Sequence, residues 1–146
     1  MRERPAATGL WELARGAAGL GFVAAAAFNT VVTLRQPQVF LAPARRDVWL
    51  PPWRFFLERI MTRHPRRVVL ATIAYEASVA ALILARGRPV RVGIAGAMVW
   101  AGVTTPVLPP GQAAGNAALI PALAPLLSRS YPRTTWAVVG RLGDAT

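Results

Sequence analysis

One carboxylate stands alone in apolar sequence. Glu76 lies eight residues after Val68 and nine before Ala85, and that run holds no other charge. An ionisable group near the centre of a bilayer costs about 2.5–3.5 kcal/mol on insertion scales, so such residues face a bundle interior and often mark a site. No arginine lies in the apolar part of another segment to neutralise it. Its chemistry is therefore hydrogen bonding with polar neighbours, water or a ligand. Other reactive sets are missing. There is no cysteine, the single histidine is His64, and no two carboxylates share a segment. No zinc-protease, Walker or dinucleotide pattern occurs in a fitting context. No catalytic residue, metal site or cofactor is expected.

The elements that must position Glu76 are membrane helices. Hydrophobic residues make up 54% of the 146 and charged residues 16%, which points to lipid as the solvent and leaves too little polar surface to cover a water-soluble domain of this size. The formal net charge of +11 would suggest nucleic acid in a polar chain, but all 17 basic residues are arginine and they collect between apolar stretches. That is the distribution of headgroup-anchoring charge, and nucleic acid is not an expected partner. The expected partners are the lipid bilayer and either membrane proteins or further copies of this chain. The expected location is the cell membrane, crossed several times.

The patterning predicts one all-α transmembrane domain over residues 1–146, an up-down four-helix bundle with spans at about 10–34, 68–86, 91–108 and 112–128. In the first, eighteen uncharged residues from Ala17 to Leu34 come close to the roughly 30 Å of a hydrocarbon core. Because the apolar run continues through Val31, Val32 and Leu34, an uncleaved helix is expected in preference to a signal peptide. Glu12 and Arg15 are spaced to pair on one face. The second and third spans flank an Arg86-Gly87-Arg88-Pro89 turn and should form an antiparallel hairpin, packed through small residues at Ala77, Ala81 and Ala85 and at Gly93, Ala97 and Ala101. Pro121 and Pro125 interrupt the fourth segment. A kinked crossing is favoured there over a re-entrant segment.

The first connection, Arg35 to Arg67, is polar but patterned. Trp53, Phe56, Leu57, Ile60 and Met61 recur at helical spacing after Pro51 and Pro52, which predicts an amphipathic helix over 52–63. Such a helix either lies flat at the membrane surface or packs on the protein's own spans. The tip between spans three and four carries no arginine, whereas the second turn and both termini do. This favours cytoplasmic termini, although the arginine-rich first connection then lies outside, against the positive-inside tendency.

Up-down topology brings one end of every span to a single leaflet. That end collects Asn29, Thr30, Thr72, Tyr75, Thr104 and Asn116 around Glu76, while the opposite half is nearly pure Ala, Val, Leu and Ile. The functional reading is a polar cavity with Glu76 at its floor and the amphipathic helix as a lid. The bland reading is interhelical hydrogen bonding that only holds the bundle, at about 0.6 kcal/mol per contact.

From Tyr75 to Val107 the chain reads YEASVAALILARGRPVRVGIAGAMVWAGVTTPV, and GNAALIPALAPLL follows from Gly115. This resembles the DoxX-like family of small four-helix membrane proteins. Glu76, Leu82, Leu84, Gly87, Arg91 and Ala95 to Ala97 fall where that pattern wants them, over about half of the chain. The resemblance implies an accessory subunit of a membrane oxidoreductase system, possessing Glu76 as its one transferable residue. The expected function is thus a non-catalytic accessory or scaffold subunit. The alternative is a small carrier or binding protein that admits a lipophilic or weakly acidic molecule to the Glu76 cavity.

Overall fold

Prolines punctuate the fold. The computed structural model describes residues 5–137, and within them each α-helix begins at or next to a proline, whose fixed φ suits a helix start and whose missing N–H is not needed there. The helices are α1 (Pro5–Phe28), α2 (Pro37–Asp47), α3 (Pro51–Phe56), α4 (Pro65–Leu84), α5 (Arg88–Thr104) and α6 (Pro110–Leu123). Two of them widen at their ends into π turns: α1 over Asn29–Thr33, where Leu34 N–H donates to Asn29 O at 2.8 Å, and α3 over Leu57–Met61. Short 3-10 turns, Thr105–Val107 and Ala124–Ser128, extend α5 and α6. There is no strand among the described residues.

Three helical stretches, Gly9–Thr33, Pro65–Leu84 and Arg88–Val107, are long and apolar enough to cross a bilayer, which marks the chain as a membrane protein. Their outward faces carry Leu20, Val23, Leu70, Val92 and Val99 in the open, a belt that hydrocarbon but not water would cover. The fourth apolar segment, α6, has 14 residues and is shorter than these three.

The helices pack in a row: α1 on α4, α4 on α5, and α5 on α6. Lipid tails are as apolar as leucine, so burying apolar surface does not drive such packing; close backbone approach does. At Gly93 the backbones of α5 and α4 nearly touch, and a Cβ there would lie 2.7 Å from the Ile83 nitrogen. The stripe of Gly93, Ala97 and Ala101 is buried as expected. The partner stripe is not. Ala77 and Ala81 face outward, and α4 instead buries Val69, Thr72, Glu76, Val79, Ala80 and Ile83. The carboxyl explains the rotation, since turning Glu76 inward carries the two alanines out. Between α4 and α5, Gly87 takes a φ of 72°, and its N–H donates to Tyr131 O at 2.7 Å.

The first connection is more structured than expected. It holds α2 as well as α3, and Leu41, Val48 and Leu57 form a small core of their own. Trp53 and Met61 pack against that core, and Trp53 meets Phe56 edge-on at 5.6 Å. The stripe thus packs mainly on the protein. Ile60 departs from it and is exposed, together with Phe55 and Trp49.

Candidate functional site

Glu76 occupies the middle of the buried face of α4 and is 4% exposed. Its partner comes from the π turn at the end of α1, where Asn29 and Thr33, four residues apart, both face inward. Thr33 Oγ1 donates to Asn29 Oδ1 at 2.8 Å, which fixes the amide so that Asn29 Nδ2 donates to Glu76 Oε2 at 2.8 Å. The buried carboxyl is thereby held by one oriented chain of hydrogen bonds that runs from Thr33 through Asn29.

Glu76 also borders an opening. Where the row of helices fails to close, α1 and α6 leave a cleft of about 560 Å3 between them. Ala14, Ala18, Gly21 and Ala25 line its α1 side and Leu119, Ala122, Leu123 and Leu126 its α6 side, with Glu76, Trp100 and Asn116 at its polar end. The walls are mostly apolar. Asn116 serves the scaffold: its Nδ2 lies 2.8 Å from Ala101 O, 2.9 Å from Thr104 Oγ1 and 3.1 Å from Thr105 Oγ1, tying α6 to the end of α5.

The remaining residues anticipated around Glu76 are dispersed. Thr72 and Thr104 line a second cavity of about 360 Å3 with Thr33 and Gln112, beneath Ala44 of α2 and Met61 of the α3 extension. Trp100 is common to both openings. Tyr75 turns to α5, donating to Gly96 O at 2.9 Å and stacking on Trp100 at 5.1 Å. Thr30 is exposed and donates back to Ala26 O. The polar end expected to form one cavity is divided into two, with Asn29 and Thr33 on the buried face of α1 and Thr30 on its outer face. The amphipathic segment covers the Thr72 cavity and not Glu76.

The end of the α1/α4 seam near Ala85 holds a polar site where plain apolar packing was expected. Arg15 is fully buried. Its guanidinium pairs with Glu12 at 2.6 Å, donates to Ala85 O at 2.9 Å and Arg133 O at 3.3 Å, and lies 4.9 Å over the Tyr131 ring. Arg129 similarly covers Trp11 at 4.6 Å. The signal available was the Glu12–Arg15 spacing, which reads equally well as a surface pair.

No protein family, curated protein or solved structure matches this chain. The functional reading therefore rests on geometry. That geometry offers a carboxyl, held by one amide in surroundings that are otherwise apolar, at the end of a cleft reachable from the side. Such a group exchanges hydrogen bonds with a bound polar head, or pairs with a cationic one, far more strongly than it would in water.

Proposed function

We propose that this chain is a four-span membrane protein that binds a lipophilic small molecule in the α1/α6 cleft, with the polar head of the ligand at Glu76. In this reading α6 and its 3-10 extension form a fourth, kinked span. Fourteen α-helical and five 3-10 residues reach about 31 Å at roughly 1.5 and 2.0 Å per residue, close to a hydrocarbon core. Asn116 and the packing of α6 along α5 hold this segment against the other spans, a setting in which a membrane helix tolerates a proline such as Pro121. Both termini lie in the cytoplasm of a cell membrane, following the arginine-free tip before α6.

One observation carries the proposal: Glu76 lines an apolar-walled cleft whose volume of about 560 Å3 falls within the roughly 300–1,000 Å3 of small-molecule sites. A second reading has its own support. Ala14, Ala18, Gly21 and Ala25 form a small-residue stripe on the α1 wall of the cleft, the kind of face on which another membrane helix docks. Such docking fits an accessory subunit of a larger assembly, of the oxidoreductase type if the DoxX-like resemblance is taken with it.

Extraction in mild detergent separates the two. Under the binding reading, solvent extraction of the purified protein yields a lipophilic compound that is lost from Glu76→Leu and Gly21→Leu preparations of normal thermal stability. Retention of the same compound by both variants would sink the binding reading. Co-migration with a heterologous subunit on a native gel, abolished by Gly21→Leu and with no extractable compound, would put the accessory reading in its place.

A further inference from the structure

A second site lies on the other side of α1. Two depressions meet at Arg66. One, of about 510 Å3, is bounded by Leu34, Arg35 and Leu70; the other, of about 420 Å3, by Arg63, His64 and Arg67. Neither shares a residue with the Glu76 cleft or the Thr72 cavity. All four arginines are exposed, and among the described residues none of them is in an ion pair. Glu58 lines a separate depression with Arg45 and Arg54.

Depth and composition both matter here. The four arginines stand where the apolar outer faces of α1 and α4 give way to the connection. Just below them, Val31 and Leu70 are 55% and 52% exposed. A guanidinium grips phosphate oxygens through paired N–H donors, and a concentration of such groups beside a transmembrane seam attracts anionic headgroups. A free phosphate would use the arginines alone. A phospholipid would use the leucine wall as well.

We propose that Arg35, Arg63, Arg66 and Arg67 bind the phosphate of an anionic phospholipid whose acyl chain lies along Leu34 and Leu70. The site rests only on the chain lying in a bilayer, whichever leaflet the first connection faces, and is independent of any ligand in the Glu76 cleft.

The test is native mass spectrometry of delipidated protein in detergent, titrated with phosphatidylglycerol, phosphatidylcholine or inorganic phosphate. An arginine at the membrane surface contributes about fivefold to the capture of anionic lipid, so two contribute about 20- to 30-fold. Wild-type protein should retain phosphatidylglycerol over phosphatidylcholine by at least that margin. Arg35→Gln/Arg66→Gln should lose the margin, and either single variant about fivefold of it. Arg86→Gln/Arg88→Gln, at the opposite end, should keep it. The single variants decide the matter if the double variant does not fold. Equal retention of the two lipids by wild type, a preference that survives loss of Arg35 or Arg66, or displacement of the lipid by an equal concentration of inorganic phosphate would each overturn the site.

Discussion

Two buried ionisable side chains lie along the α1/α4 seam, Arg15 beside Ala85 at its end and Glu76 near its middle, and their surroundings differ. Arg15 is enclosed: Glu12 from its own helix, the Ala85 carbonyl from α4, and Tyr131 and Arg133 from the C-terminal tail all converge on it. Glu76 has one described partner, Asn29, and borders a cleft. A buried charge ringed by several groups of its own chain holds structure together, because those groups would be stranded by its loss. A buried charge with one partner and an opening beside it has capacity left for something else.

Removing the enclosed charge should have the largest effect. Arg15→Leu strands Glu12 and leaves the Ala85 and Arg133 carbonyls without their donor, and breaking a buried pair in this way costs about 3–5 kcal/mol. Thermal unfolding in detergent, followed by circular dichroism, should show a correspondingly lower midpoint. Trypsin should cut faster at Arg129 and Arg133 as the tail comes loose. A variant as stable and as protease-resistant as wild type would erase the contrast between the two sites.

How much of this the residues announce depends on the range of the interaction. The three long spans are legible because length and apolarity are local properties, and Glu76 is legible because a single carboxylate interrupts a charge-free run. Arg15 is not, since a spacing of three from Glu12 is common on solvated helices and says nothing of Tyr131, 116 positions later. Helix α2 escapes notice because Arg45, Arg46 and Asp47 blur its short apolar pattern. Asn29 and Thr33 follow Ala26 at helical spacing on the buried face of α1, but which of Asn29 and Thr30 meets Glu76 depends on how α1 is turned against α4. The cleft depends on α6 failing to reach α1, and no local pattern encodes that.

The same contrast between closed and open seams appears in two glycines. At Gly93 a Cβ would meet the Ile83 nitrogen at 2.7 Å and Leu82 Cβ at 2.8 Å, both anchored in α4, so the hairpin must spread. Gly93→Ala should therefore destabilise by about 1–3 kcal/mol, the usual range for overpacking. At Gly21 nothing lies within 4 Å. Gly21→Ala should leave the unfolding midpoint within the equivalent of about 0.5 kcal/mol, as for a site without packing neighbours. Equal losses at the two positions would mean that the α1/α6 seam is closed.

A smaller effect is expected at Glu76 itself. Glu76→Gln keeps an oxygen to accept from Asn29, so stability should change by about 1 kcal/mol or less, the scale of one hydrogen bond. Retention of bound compound, measured on the same preparation, should fall far more. A loss of stability as large as that of Arg15→Leu would show that Glu76 is structural in the same sense as Arg15, and the comparison would lose its meaning.

The slightest change tests the enclosed end by pH. Tyr131 is buried and donates to Leu126 O at 2.7 Å. Burial raises its phenol above the ordinary value of 10.0, against the lowering influence of Arg15. A raised value means that the folded state holds the proton more tightly than the unfolded chain does. The resulting stability is complete below about pH 10, the unfolded value, and is lost as pH climbs through the folded one. The chain has neither lysine nor cysteine, and Tyr75 is its only other tyrosine, so few groups compete for the signal in this range. Unfolding midpoints of wild type should fall above pH 10 while those of Tyr131→Phe stay flatter, with Tyr75→Phe as the control that keeps the fall. An alkaline decline unchanged in Tyr131→Phe would mean that the tail does not clasp Arg15 in the folded protein.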